Sequence, residues 1–315
     1  MDISIVIPLF NESESLEPLV EWIDRVVVKA GFSHEIILVD DGSQDGSWEV
    51  VRTLQKKYPA IQGIRFRRNY GKAAALHCGF LKALGEIVFT MDADLQDNPE
   101  EIPEMVRMIR EDGYDLVSGW KKKRYDPINK RWPSKFFNLI ARWTSGIKLH
   151  DFNCGLKAYK SIVIKSIEIY GDMHRYIPIL AKRAGFFNIG EKVVQHQERK
   201  FGTTKYGFQR YINGPLDLLT ISFITRFAKK PMHFFGTLGI LMMLIGVIIT
   251  AWVIGVKIHA IATHQLPRGV TEQPAFFLAL LIVIIGVQLF LTGFLAELVS
   301  RSSHDRNNYL IEEEL

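Results

Sequence analysis

Over the first 120 residues, short apolar runs alternate with stretches whose apolar positions recur at helical spacing. The runs are "ISIVIP", "EIILVD", "IQGIRF", "EIVFTMD" and "YDLVSG"; the amphipathic stretches between them cover 14–30, 44–58, 72–84 and 99–112. Runs of this length and β-rich composition predict strands, and the 3.6-residue periodicity predicts helices. Strand and helix in strict alternation predict an α/β fold: a mostly parallel sheet with helices on both faces. Ligands of such sheets bind beyond the carboxyl ends of the strands. Polar and acidic residues fall there repeatedly, with Asn11 and Glu12 after the first strand, Asp40 and Asp41 after the second, and Asp92 and Asp94 after the fourth.

The pattern changes in the last third. Phe234 to Val256 is a stretch of about 23 residues without a charge, and Ala275 to Ala296 repeats it with Gln288 as its one strongly polar residue. A helix of that length spans a hydrocarbon core of roughly 30 Å. Soluble core helices this long carry a polar face, which these lack, so two transmembrane helices are expected. Arg226, Lys229 and Lys230 precede the first and Arg301 and Arg306 follow the second, whereas the connecting loop is assigned only Lys257 and Arg268. The excess of flanking cations puts both ends in the cytoplasm. The opening run is too short, and lacks the basic leader, to be a signal peptide. The expected organisation is a cytoplasmic catalytic domain over 1–210, juxtamembrane amphipathic helices over 211–231, a two-helix membrane domain over 232–300 and a cytoplasmic tail over 301–315, in the inner membrane.

Composition narrows the class. The 315 residues are 48% hydrophobic and 23% charged, enough for a sizeable core. The net charge of +5 is modest and its cations gather locally rather than along one stripe, which excludes a general nucleic-acid binder. Cys78 and Cys154 have no paired spacing, so neither a disulfide framework nor a zinc site is indicated; both are read as buried small hydrophobes.

The acids of "TMDADLQDNPEE" at 90–101 carry the chemistry. Asp92 and Asp94 at a strand end can reach one cation, and Gln96 can add a neutral oxygen; hard oxygen donors suit Mg2+ or Mn2+, which keep positions open for water and phosphate. Asp97, Glu100 and Glu101 read instead as a solvated turn and helix-start charge, with Asn98 capping and Pro99 opening a helix. Asp45 reads as a turn or capping residue.

A lone "DxD" is a weak signal. Here "VIPLFNESESL", "ILVDDGSQDGS", "RRNYGKAAAL" and "FTMDADLQDNPEE" occur in the order and spacing that resemble family 2 glycosyltransferases of the GT-A fold. With "RKFGTTKY" at 199–206, the set resembles the polyprenyl-phosphate branch, which includes dolichol-phosphate mannose synthases and bacterial undecaprenyl-phosphate glucosyltransferases. The resemblance covers nearly the whole chain. It implies a nucleotide-sugar donor held by Pro8, Asn11, Glu12, Asp40, Asp41, Lys72 and Asp92, with Asn69 and Gly71 nearby, and a metal and diphosphate site at Asp92, Asp94 and Gln96. Asp94 and Arg199 would carry the catalysis. It also implies a lipid-phosphate site at Arg124, Arg131, Ser134, Arg199 and Lys205, beside Lys130, Lys200 and Thr204. Arginine forks and hydroxyls suit a phosphate headgroup. Lys121, Lys122 and Lys123 are divided between a solvated face and lipid attraction. "DFNCGLKAYK" at 151–160, with Asp151 and Lys157, resembles the segment lining the family's sugar pocket, although Cys154 and Gly155 depart from it.

The activity this resemblance implies is inverting, metal-dependent transfer of one sugar, with UDP-glucose favoured as donor, to undecaprenyl phosphate at the cytoplasmic leaflet. A GDP-mannose-dependent mannose synthase is the alternative. A lipid phosphate is already ionised and needs no strong base, so His174 and His196 are read as structural. A processive polysaccharide synthase is disfavoured because "INKRW" and "LIARW" lack the glutamine of "QxxRW". The acidic site speaks against a non-catalytic sugar-nucleotide-binding scaffold, and two uncharged helices against a transporter. A homo-oligomer stays open.

Overall fold

The computed structural model describes residues 1–122, 138–139, 141–143, 145–169, 171, 173–197, 227, 231–264 and 269–302. The chain forms two compact units, Met1–Ser222 and Phe223–Leu315.

The first unit is built on a seven-stranded sheet of order β3-β2-β1-β4-β6-β5-β7. Its strands are β1 (Ile3–Leu9), β2 (His34–Asp40), β3 (Ile61–Arg65), β4 (Ile87–Thr90), β5 (Leu116–Trp120), β6 (Lys157–Lys160) and β7 (Ile189–Val193). Four helices alternate with the first five strands: α1 (Ser13–Lys29), α2 (Ser47–Lys57), α3 (Lys72–Lys82) and α4 (Ile102–Arg110). Their period is visible in what they bury. In α1, Leu16, Leu19, Val20, Ile23, Val26 and Val27 face inward, and they pack in one core with Ile5, Ile7, Ile36, Leu38 and Phe89 from the strands. Burying each such side chain contributes about 1.5–3 kcal/mol, which is why the amphipathic stretches close on the sheet.

The parallel pairs β1·β2, β2·β3 and β1·β4 form the expected doubly wound half. The chain leaves β1 toward β2 and β3, then crosses back to place β4 on the other side of β1. Strand order reverses there, so the loops after β1 and β4 part and leave a crevice. The sheet also holds two strands not expected from the sequence. β6 runs antiparallel between β4 and β5, and β7 extends the edge parallel to β5. Both read as polar, "KAYK" and "IGEKV", yet Lys157, Ala158 and Tyr159 are buried because strands flank β6 on both sides.

The second unit contains two long helices, Pro231–Ala262 and Pro274–Ser302, each apolar enough to cross a membrane. They are apolar all round and mostly uncovered, with Ile248 66% and Val299 71% exposed, unlike the core helices of a soluble protein. The first helix runs past Val256, so Lys257 lies in its last turns rather than in the connecting loop. The two pack through glycines: a Cβ on Gly239 would stand 2.6 Å from the Gly286 carbonyl oxygen, and one on Gly286 would stand 2.8 Å from that of Gly239.

Candidate active site

The loops after β1 and β2 are laced together by polar side chains. Asn11 has φ of 52°, a left-handed conformation that asparagine tolerates, and its Oδ1 accepts from the Gln44 N–H at 2.8 Å. Its own N–H donates to Ser43 Oγ, and the Glu12 N–H donates to Ser47 Oγ. Asp45 accepts from the Ser47 N–H and hydroxyl and from the Ser13 N–H, which is the turn-stabilising role expected of it. Asp40 Oδ1 accepts from the Ser43 N–H at 2.8 Å, while Arg65 stands 3.6 Å from the other oxygen. Asp41 accepts from the Tyr70 and Gly71 N–H groups at 2.7 and 2.9 Å. This carboxylate therefore pins the "RNYGK" loop and sets where α3 begins. Burial raises its pKa above the usual carboxylate value. Pro8, near the end of β1, pairs in register with Val39 and lies beside these loops.

Beyond β4 the acids are brought together with cations. Lys72, the first residue of α3, donates to Asp92 Oδ1. Burial works against the Asp92 charge, but Lys72 and Lys121 outweigh it and hold its pKa well below the ordinary range. Asp94 is buried and accepts from the Gln96 N–H at 3.2 Å. Leu95 between them has φ of 60°, rare for a branched residue, and this left-handed step makes the sharp turn of the "DADLQ" loop. Gln96 Nε2 donates to the Gln197 carbonyl at 3.4 Å, which turns its amide oxygen away from that carbonyl. The Gln197 N–H returns a bond to the Gln96 carbonyl.

Several residues stand where the sequence did not put them. Asp97 is not solvated: it is buried, accepts from the Asp92 N–H, and pairs with Lys121 Nζ at 2.8 Å. Lys121, assigned to a solvated or lipid-facing run, is thus a site residue, and its partner Asp97 raises its pKa against the effect of burial. Glu101 pairs with Lys192. Asn98 does cap, accepting from the Glu100 N–H, with Pro99 next. Gly155 lies against the acids; a Cβ there would lie 2.4 Å from Asp92 Oδ2 and 2.8 Å from Asp97 Oδ2. Lys157 is buried, donates to the Cys154 carbonyl, and has its pKa lowered by burial. His174 lies in the 3-10 turn Met173–Tyr176, which packs against α3, whereas His196 forms a backbone bridge to Asp97. Cys154 is buried, its thiol pKa pushed up to about 12 by burial; Cys78 is half-buried. Of the lipid-phosphate set, Arg124, Arg131, Ser134, Arg199 and Lys205 lie outside the described residues.

Among the described residues no three His, Cys, Asp or Glu side chains form a metal cage. Two carboxylates and an amide fit a cation that takes its other oxygens from water and substrate.

Residues 4–167 match glycosyl transferase family 2. The dodecaprenyl-phosphate galacturonate synthase of Rhizobium johnstonii is 34% identical over 99% of this chain and 93% of its own. An undecaprenyl-phosphate 4-deoxy-4-formamido-L-arabinose transferase of Pseudomonas syringae is 33% identical over 99% and 90%. Among solved structures, the glucosyl-3-phosphoglycerate synthase of Mycobacterium tuberculosis with UDP superposes with a TM-score of 0.55 at 17% identity, covering 71% of this chain and 79% of its own. The mannosyl-3-phosphoglycerate synthase of Rubrobacter xylanophilus superposes with 0.57 at 16%, covering 71% and 74%. These two share the GT-A fold. A family match over more than half the chain, with relatives above 30% identity along its whole length, makes this α/β protein a glycosyltransferase that belongs to glycosyl transferase family 2.

Proposed function

We propose that the enzyme, anchored by its two long helices, moves one sugar from a UDP-linked donor to a polyprenyl phosphate at the cytoplasmic leaflet. The observation that carries this reading is the end-to-end likeness to polyprenyl-phosphate sugar transferases, membrane-length helices included. Asp92, Asp94 and Gln96 would hold Mg2+ or Mn2+, which supplies charge neutralisation to the departing diphosphate. A Mycobacterium tuberculosis neighbour in the fold was solved with Mn2+ and UDP-glucose, which supports a divalent cation in general.

The loops after β1 and β2 receive the nucleoside, and Lys72 lies beside the diphosphate position. A lipid-phosphate oxygen attacks the anomeric carbon from the face opposite the diphosphate, the anomeric C–O bond breaks, and the nucleoside diphosphate leaves with the bonding electrons. The configuration inverts. No proton must be removed from the ionised nucleophile, so positioning two anions supplies the catalysis. Arg199, with Arg124, Arg131, Ser134 and Lys205, is assigned to the acceptor phosphate. Its support is position in the chain: Arg199 comes two residues after Gln197, which is bonded to the metal loop.

The relatives are named for galacturonate and formamido-arabinose, so glucose gains no support from them. The test is to incubate purified protein with undecaprenyl phosphate, UDP-galacturonate, UDP-4-deoxy-4-formamido-L-arabinose, UDP-glucose and GDP-mannose, and to weigh the lipid product. One added sugar is expected, lost in excess chelator and restored by Mg2+ or Mn2+. No glycosylated lipid from any donor would sink the reading, and full activity in chelator would sink the cation assignment.

A further inference from the structure

Two large apolar side chains stand uncovered on one side of a helical stretch. Residues 138–139, 141–143 and 145 are helical, and they divide by face. Asn138 and Ala141 are buried, whereas Leu139 is 61% and Trp143 86% exposed, the latter more than any other large apolar side chain among the described residues. Spaced four apart, Leu139 and Trp143 are neighbours on one face. Exposed apolar residues scattered singly need no explanation, but a tryptophan and a leucine side by side mark a surface that meets something.

The stretch is tied to the flank of the sheet beside the acid loop. Asn138 Nδ2 donates to the His150 carbonyl at 3.0 Å, and Arg142 Nε donates to the Leu149 carbonyl at 3.2 Å. The His150 ring stacks on Trp120 with 4.1 Å between ring centres. Trp120 ends β5, and the next residue, Lys121, pairs with Asp97 of the acid loop.

Charge identifies what the face meets. From Lys122 to Lys148 the sequence holds eight Lys or Arg and one acid, Asp126. Lys122 and Lys148 are exposed. Tryptophan favours the headgroup level of a bilayer, and cations beside it favour anionic lipid. A bilayer is also at hand, because the same chain carries two helices apolar enough to cross one. A second copy of the chain would bring the same cations to the face, and like charges oppose that pairing.

We propose that the catalytic unit docks on an anionic bilayer surface through Leu139 and Trp143, with the cations of this segment on the headgroups; this rests on the membrane anchoring read above. Docking holds the acid loop near the depth of a lipid phosphate rather than at the free reach of a tether.

The experiment uses the full-length chain with Cys78→Ser and Cys154→Ala. It receives one cysteine at a time, Leu139→Cys, Trp143→Cys or Ile162→Cys, each labelled with an environment-sensitive fluorophore. Ile162 is the control: it is 57% exposed, but the Ser161 N–H beside it bonds the Glu86 carbonyl just before β4, at the opposite end of that strand from the acid loop. In phosphatidylcholine–phosphatidylglycerol nanodiscs, lipids with a nitroxide at the headgroup or a shallow acyl carbon should quench the labels at 139 and 143 about two-fold or more, since an apolar face sinks into the headgroup boundary. The label at 162 should keep its emission. Omitting phosphatidylglycerol or raising the salt should weaken the quenching. Labels at 139 and 143 quenched no more than the control would overturn the proposal. Quenching equally strong without phosphatidylglycerol would overturn the choice of an anionic surface. Emission at 143 that shifts with protein concentration in detergent would give the face to a second copy and overturn it as well. A chain that does not co-elute with the discs would sink the anchoring itself, before any label is compared.

Discussion

At the scale of single residues, the acids of the "DADLQ" loop work through what surrounds them. Asp92 is steered by Lys72 on one side and by the bare backbone of Gly155 on the other. A Cβ at 155 would meet the carboxylates of Asp92 and Asp97, which can move aside only by loosening their pairs with Lys72 and Lys121. Gly155→Ala should therefore lower the melting temperature, and kcat should fall ten-fold or more in the protein that remains folded, on the scale of about 1.4 kcal/mol per decade. Steady-state transfer assays beside a thermal melt would show it; equal loss of stability and activity would mean Gly155 is needed only for packing. Asp94→Asn removes a charge from the proposed cation site without changing its shape, and turnover should drop by orders of magnitude in a protein that still melts normally.

Between elements, the two long helices touch where side chains are missing. Gly239 and Gly286 meet backbone to backbone, and a Cβ at Gly246 would strike Val283 Cγ2 at 2.4 Å. In a membrane, where burying apolar surface between helices gains little, such close packing is the main source of association. Gly239→Leu should destabilise the full-length protein in detergent by about 1–3 kcal/mol, the usual cost of overpacking. Gly255 has nothing within 4 Å of its would-be Cβ, so Gly255→Leu is the matched control and should melt like wild type. Equal melting of both variants would show that the glycine contact does not hold the pair.

For the whole molecule, the proposed reaction requires cytosolic nucleotide sugar and membrane-held lipid to meet at one site. The flanking cations are the reason to propose that both ends of the helix pair lie on the cytoplasmic side. With Cys78 and Cys154 replaced by serine and alanine, Gly269→Cys should react with an impermeant thiol reagent added to intact cells, and Ser302→Cys should react only after lysis. The reverse pattern would put the catalytic unit on the wrong face and overturn the proposed reaction.

Local sequence determined what depends on local periodicity. The first five strands and the helices between them are set by apolar spacing within each segment, and the two membrane-length helices by uninterrupted apolar runs, so both were legible residue by residue. The acids at the ends of β1, β2 and β4 were legible for the same reason, since parallel strands direct their carboxyl ends to one edge. What only the tertiary structure decided depends on distant partners. β6 exists as a strand because β4 and β5 flank it, whatever the polarity of "KAYK". Asp97 is a buried ion-pair partner rather than a surface charge because the chain brings Lys121 back from the end of β5. Gly155 faces Asp92 from a segment more than 60 residues away. No periodicity within a segment encodes such meetings, because burial and charge pairing are settled by where the other segment lands.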